Sequence, residues 1–540
     1  MSSAAKHCDA PEQNEDVRDK KKRKKVGFSK DANVDFCEAK DCIKLHLIGD
    51  GNDIQSDSQG EDNGNDFSPT FVEEFFEGGR IYGYRGLRID IWLHDSTFLA
   101  YAEVRYDSKL QVNGSRKGTK DVEAILKEIF GESLIMDRGT FIERLANAGN
   151  YFRDLITAHG DVVATWESSP APSSSAGNLQ GHVKHCEIVR MEIHDPSLRE
   201  WRSSLSPLVL LFIEGGRPID SDPQWEIFVA TEKHKGSERS CKVTGFCNVF
   251  RFYHYPDSMR LRISQILVLP PYQQKGYGFH LLESVNKVAL QRGCFDVNME
   301  EPSEKLQELR DCMDSLRLLS HPTIVSAILG DVAQITKKRE EVQKGIVVEK
   351  TSLGGSELQE VLHMDVHSLS RRENGDLVAS DSVKRQGWHI LMPPKALIDV
   401  ARKIYKISKS QVKRCWEILI FLHLDPLDTS ALETYSQLLA TKLKYEVFEK
   451  DNNEAGRSKK VVDTKNEHDS SKTFVMMRFK SSAKNNADVS RVANEVLAGM
   501  EDVVEVEETN NKNEVLQELL EERENEILSV VKKVRRFRSG

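Results

Sequence analysis

The stretch PPYQQKGYGFHLLESV, Pro270–Val285, decides how this chain is read. It places a Gly-x-Gly between an apolar run and a helical pattern. To its left, Ile263 to Leu269 (ISQILVL) is rich in β-branched and aliphatic residues and reads as a buried strand, stopped by Pro270 and Pro271. To its right, Leu281, Leu282, Val285, Val288 and Ala289 recur at helical spacing, so the glycines open an amphipathic helix. Strand, glycine turn and helix together aim backbone N–H groups and the positive end of a helix at an anion. A tight turn without a ligand is the plainer alternative. The surrounding sequence has to choose.

The chain has 540 residues, room for about two or three domains and a large core. Hydrophobic residues make up 39%, and no long uncharged apolar run occurs, so no membrane span is expected. The N-terminus shows no apolar signal-peptide core, which points to an intracellular protein. Nine cysteines lie scattered at 8, 37, 42, 186, 241, 247, 294, 312 and 415, an odd, unclustered set that suits reduced thiols. Cys37 and Cys42 are too far apart for a zinc knuckle, and His182, His185 and Cys186 lack a second cluster. No metal is expected.

Net charge is −9, and the run Lys20, Lys21, Lys22, Arg23, Lys24, Lys25 contributes +6, so the remainder carries −15. An acidic body is a poor binder of nucleic acid and a good partner for a basic ligand. The basic run reads as a nuclear import signal or as a solvated tail.

Residues 1–38 are polar and charged and form an expected disordered leader. A strand at Ile43–Ile48 precedes an acidic low-complexity loop that ends near Asp66. The unit 39–166 alternates strands (Arg88–Leu93, Thr97–Val104) with helices (Val122–Ile129, Thr140–Ala148), and 167–180, containing ESSPAPSSSAGN, is a linker. The block 181–312 is expected to hold strands at Cys186–Ile193, Trp225–Thr231, Lys242–Tyr253 and Leu261–Leu269. The glycine turn, a helix through Leu290 and a strand at Cys294–Met299 follow. The region 313–540 is mainly helical, with helices at Leu306–Leu319 on its border, Pro394–Tyr405 and Lys409–His423. From Glu514 to Val534 the residues Leu516, Leu519, Leu520, Ile527, Val530, Val531 and Val534 form one stripe, for packing on the body or for a partner helix.

Three anion sites compete for the glycine turn. A dinucleotide fingerprint needs a third glycine where Leu281 stands, and a phosphate loop needs Gly-Lys-Ser/Thr, whereas Lys275 precedes Gly276 here. The Gln/Arg-x-x-Gly-x-Gly turn of the N-acetyltransferases is met in full by Gln273-Gln274-Lys275-Gly276-Tyr277-Gly278. Small residues at both glycines let a pyrophosphate come close. With SQILVLPPYQQKGYG and MEEPSEKLQELRD (Met299–Asp311), and with IYGYRGL (Ile81–Leu87), FRFYHYPDSMRLR (Phe250–Arg262) and KRCWEILIFL (Lys413–Leu422), the chain resembles the type B histone acetyltransferases from about residue 40 to about 425. It departs from them in its N-terminal additions, the Glu167–Asn178 loop and an insertion between about Met313 and Ile390.

The resemblance implies an α+β fold. A GNAT acetyltransferase sheet, mixed but mostly antiparallel with flanking helices, would sit between an N-terminal α/β domain and a C-terminal helical domain. It implies acetyl transfer from acetyl-CoA, without a metal, to lysines in the tail of free histone H4, and a WD-repeat histone chaperone as partner. Nucleus and cytoplasm are both expected, with no direct binding of nucleic acid or membrane. The backbone of Ile266, Leu267 and Val268 would pair with the pantetheine arm and polarise the thioester. Gln273, Gln274, Lys275, Gly276, Tyr277, Gly278 and Phe279 would cradle the pyrophosphate, with Ser303 also on the cofactor.

Glu300 matches the family's general base, Glu301 stands where the family has an aspartate, and Glu214 in LFIEGG would be a second acid/base. Without the resemblance, Glu300 and Glu301 read as an exposed strand end facing opposite sides, unless the chain bends at Pro302. For the tail, Glu77, Trp225, Phe250, Arg251 and Phe252 occupy the matching regions, although Gly78 and Gly79 replace part of the family's acidic patch. Phe250 and Phe252 read equally well as core residues. An acetyltransferase of the same fold on another acceptor, and a histone-binding scaffold without catalysis, are the competing readings.

Overall fold

The computed structural model describes residues 36–49, 66–109, 121–168, 184–234, 241–349, 387–449 and 498–539. The basic run Lys20–Lys25, the acidic loop and residues 169–178 of the Ser/Pro-rich stretch lie outside them.

A five-stranded sheet forms from β1 (Ile43–Ile48), β2 (Asp66–Phe67), β3 (Arg88–His94), β4 (Ala100–Arg105) and β5 (Leu134–Ile135), in the order β2-β1-β3-β4-β5. Strand β3 reads RIDIWLH, and Ile89, Ile91 and Leu93 all fall on its buried face, as period-two alternation requires. Two helices follow from this unit, α1 (Val122–Phe130) and α2 (Arg138–His159). Helix α2 is far longer than the expected Thr140–Ala148. Polar residues interrupt its pattern, but Phe141, Leu145, Ala148, Phe152 and Leu155 continue one buried stripe at alternating spacings of four and three. The Asp137 carboxylate caps it by accepting from the Thr140 backbone N–H at 2.7 Å.

The six-stranded sheet runs β6 (Gly160–Ser168), β7 (Lys184–Glu192), β8 (Trp225–His234), β9 (Cys241–His254), β10 (Ser258–Val268) and β11 (Val297–Met299) in spatial as well as chain order. All neighbours are antiparallel except β10 and β11. The expected strands are all present, with shifted ends. Two corrections matter. Strand β6 is not evident in the sequence, because GDVVATWES is a half-buried edge with weak alternation, and the expected boundary at 166 falls inside it, parting most of this strand from the sheet it belongs to. The strand expected at Cys294–Met299 pairs only over its last three residues.

Helices α3 (Pro196–Ser203) and α4 (Ser206–Phe212) fill the β7–β8 connection, and α5 (Tyr277–Gln291) joins β10 to β11. The two sheets share one core. The Trp201 indole N–H donates to the Ser96 carbonyl at 2.9 Å, the Val243 amide to the Asp95 carbonyl at 2.8 Å, and Phe67 meets Phe212 at 5.4 Å.

A second core belongs to the C-terminal helices: α6 (Glu304–Leu319), α7 (Pro322–Glu349), α8 (Lys395–Tyr405), α9 (Lys409–His423), α10 (Thr429–Lys444) and α11 (Ala498–Ser539). The charged tail helix resolves the choice left open above. Its residues Leu520, Ile527, Val530, Val531 and Val534 are buried against the body. Asp311 of α6 ties the group together, accepting from Arg414 Nε at 2.7 Å and Gln411 Nε2 at 2.9 Å.

Candidate active site

The site begins with an irregularity in β10. Asn248 pairs with Gln265 and Val249 with Ile263, so Ser264 is an extra residue without a partner on β9. Such a bulge bends the strand and re-aims its side chains. On the other edge, β11 accompanies β10 only as far as Ile263, opposite Met299. The Glu300 amide makes one more bond, to the Ile263 carbonyl at 2.9 Å, and then the chain turns away at Glu301, whose φ is +34°. The bend therefore lies at Glu301, one residue before Pro302. From Ser264 to Val268 the edge of β10 is left open, and Ile266, Leu267 and Val268 lie along it.

The glycine turn closes the far end of that edge. Pro270–Tyr272 form one helical turn, Gln274 and Gly276 take positive φ (60° and 90°), and α5 starts at Tyr277. No side chain caps α5, so the first amides of the helix have no intrahelical acceptor. A side chain on Gly276 would be strained by its φ. A methyl on Gly278 would find only ordinary contacts, with Leu309 at 3.5 Å and Val268 at 3.9 Å. Packing within the chain does not demand glycine at 278. An uncapped helix start, a glycine at positive φ before it and an open strand edge fit acetyl-CoA, with the pyrophosphate at the turn and the arm along β10. Gln273, Gln274, Lys275 and Phe279 are exposed there, and the Gln273 amide donates to the Val268 carbonyl at 3.0 Å. Tyr277 departs from expectation: its side chain is buried, so only its backbone reaches the cradle.

Glu300 stands at the splay between β10 and β11. Its side chain is half exposed, and its Oε2 accepts from the Ser264 hydroxyl at 2.9 Å. Arg262 Nη1 lies 4.0 Å from Oε1. Glu301 is exposed on the bend and Ser303, also exposed, sits at the start of α6 without capping it by a side-chain bond. Glu214 is exposed in the turn after α4, where a methyl on Gly216 would lie 2.6 Å from the Val209 carbonyl. That turn rests on the site, because the Gln265 amide donates to the Arg217 carbonyl at 2.6 Å.

On the same side of the sheet, Trp225 meets Phe250 edge-on at 4.8 Å and Phe250 meets Phe252 at 4.6 Å, while Arg262 covers the Phe252 ring at 4.3 Å. All three rings are partly exposed, so they form a surface rather than a core. Arg251 does not belong with them. Strand alternation sends it to the other face, where it lies 3.3 Å from Glu226 in an ion network with Arg190, Arg292 and Glu192. Glu77 is exposed on a turn of the N-terminal unit (Glu77–Gly79), and its neighbour Glu74 ion-pairs with Arg217.

Sequence reasoning missed Ser264 and Arg262. No local signal marks a bulge, because it exists only as a register shift against β9. Among the described residues no group of three or more His, Cys, Asp or Glu side chains is placed to hold a metal ion.

The chain is similar to known proteins over most of its length. Residues 36–214 match the family described as histone acetyl transferase HAT1 N-terminus, and residues 192–306 match the acetyltransferase (GNAT) family. The chain is 31% identical over 519 residues to the histone acetyltransferase type B catalytic subunit of Arabidopsis thaliana, covering 95% of each protein. It is 33% identical over 435 residues to the protein of that name from Zea mays, covering 79% of this chain and 78% of the other. The similarity thus extends well past residue 425.

Proposed function

The chain belongs to the histone acetyltransferase type B catalytic subunits, and on that premise we propose that it acetylates lysines in the amino-terminal tail of free histone H4, with Glu300 as general base. What supports the base is one observation: Glu300 is the carboxylate held by Ser264 at the mouth of the β10–β11 splay. Bound along the open edge of β10, acetyl-CoA supplies an activated thioester carbonyl.

The acceptor lysine has a reference pKa of about 10.4, so it must lose a proton to attack. Glu300 takes that proton, the neutral amine forms the new C–N bond, and as the C–S bond breaks the second proton of the nitrogen leaves with the sulfur as the free thiol of CoA. Open amides of Ser264–Val268 are the donors proposed for the carbonyl oxygen, and the turn Gln273–Phe279 for the pyrophosphate. Trp225, Phe250 and Phe252 would pack the lysine stem, with Glu77, Glu301 and Glu214 adding negative charge around a basic tail. A WD-repeat histone chaperone as partner, a role in chromatin assembly and residence in nucleus and cytoplasm complete the proposal, the nuclear share resting on Lys20–Lys25.

The test is transfer of labelled acetyl to free H4, with free H3 and intact nucleosomes as comparison acceptors. Free H4 is expected to be labelled fastest, and Glu300→Gln to lose about 10²–10⁴-fold in rate. A Glu300→Gln enzyme as fast as the parent would remove the base. Equal labelling of H3 would remove the H4 preference.

A further inference from the structure

The first turn of α5 is held in place by ties of two kinds. The visible ones are at the surface: Gln273 Nε2 donates to the Val268 carbonyl at 3.0 Å and Lys275 Nζ to the Pro271 carbonyl at 2.6 Å. Exposed bonds of this sort compete with water and contribute little. The turn also contains Gln274 at positive φ, a conformation that in a residue other than glycine needs support from elsewhere.

That support comes from below. Tyr277, the first residue of α5, is 2% exposed, and its hydroxyl donates to the carboxylate of Glu232 on β8. The same hydroxyl lies 3.7 Å from Cys186 Sγ on β7, and the ring packs edge-on against Trp166 at 5.7 Å and Tyr272 at 6.1 Å. Burial, and then the bond to Glu232, push the Tyr277 phenol far above its ordinary pKa, so the hydroxyl stays a donor.

Glu232 is 3% exposed and sits under a helix start that would receive a pyrophosphate. A buried carboxylate beneath an anion site is costly unless it is neutralised. Lys184 does this, reaching the two carboxylate oxygens at 3.0 and 3.3 Å. Its neighbours Val229 and Ala230 show that apolar residues are accommodated on this strand. A charge kept in such a place fixes direction, because a hydrogen bond orients the Tyr277 ring where apolar packing alone would let it slide.

We propose that Tyr277 and Glu232 are positioning residues for cofactor affinity, anchoring the first turn of α5 to the central sheet so that its amides meet the pyrophosphate of acetyl-CoA. The proposal rests on the acetyltransferase reading of the site. Neither residue touches a reacting atom. They therefore govern binding of the nucleotide half and leave the chemical step alone.

The test uses the full chain and two donors. S-acetylpantetheine carries the thioester arm without the pyrophosphate, so it reports on the fold and the chemistry but not on the anchor. In Tyr277→Phe, Kd and KM for acetyl-CoA should rise about tenfold, the scale of one hydrogen bond to a charged group, with kcat within about twofold. The kcat/KM for S-acetylpantetheine should stay at the parent value. Glu232→Leu should behave alike, and Glu232→Gln, which keeps the acceptor oxygen, should restore affinity. Equal losses with both donors would reduce Tyr277 to a packing residue and overturn the proposal, as would an unchanged Kd for acetyl-CoA in Tyr277→Phe. A parent chain that binds no acetyl-CoA would overturn the reading of the site itself.

Discussion

Glu300 and Glu417 are the same side chain with cations beside it, and their surroundings suit them to opposite things. Glu300 is half exposed at a strand splay, with one hydroxyl donor and Arg262 at 4.0 Å. Glu417 is buried within the helical region, gripped by Lys442 at 2.5 Å and by Arg523 Nη2 at 2.8 Å. Burial by itself would raise the Glu417 pKa; Arg523 and Lys442 outweigh it and hold the carboxyl below its ordinary 4.5. A carboxylate locked between two cations cannot act as a base. One at an open strand splay can. Chemical type is shared, and surroundings decide whether a residue works for the fold or for the reaction.

The contrast can be broken at either end. Replacing Glu300 by Gln should cost activity on the scale given above and leave the melting temperature where it was. A fall in Tm comparable to that of a core variant would make Glu300 structural after all. Replacing Glu417 by Leu leaves the buried Lys442 and Arg523 with only Glu446 and Glu526 as acidic partners and should cost about 3 kcal/mol in stability, read by denaturant unfolding. Activity per folded molecule should be unchanged. Because the folded Glu417 pKa lies below the unfolded one, its contribution is complete above about pH 4.5 and is lost as pH falls through the folded value. The difference between parent and Glu417→Leu should therefore shrink below pH 4.5 and be constant above it.

A smaller test sharpens the Glu300 side. Ser264→Ala removes the hydroxyl that holds Glu300, and the rate should fall about two- to tenfold, the worth of one exposed hydrogen bond. The smallest effect lies in the N-terminal sheet. His46 joins β1, β2 and β3 through Asp66 at 2.9 Å and Asp90 at 3.1 Å. Burial works to lower its pKa, but the bonds to Asp90 and Asp66 prevail and raise it above 6.5. Its charged contribution is then fully present below about pH 6.5 and is lost as pH rises through the folded value. The stability gap between the parent and His46→Leu should be widest in acid and narrow above neutrality.

The glycine turn was legible in the sequence because everything it needs is local. Two prolines end a strand, Gly276 meets a positive φ, and the apolar spacing from Leu281 onward draws the helix. Helix α9 was legible for the same reason, its ends falling where the pattern of Trp416, Leu419, Ile420 and Leu422 placed them. The half-buried strand β6 was not, because its place in the sheet comes from pairing with β7 rather than from its own composition. Arg251 was misplaced by adjacency: sharing a segment with Phe250 and Phe252 puts it next to them in sequence and on the opposite face in space.

The strand, glycine turn and helix thus followed from short-range pattern, since the period of apolar residues and the geometry of glycine act over a few residues, while family and reaction class came from the resemblance carried by the quoted motifs. The orientation of Glu300, the open edge at Ser264 and the anchoring of Tyr277 on Glu232 came only with the folded chain. Each depends on register or burial between separate segments of the chain, and no local preference encodes which strand ends up beside which.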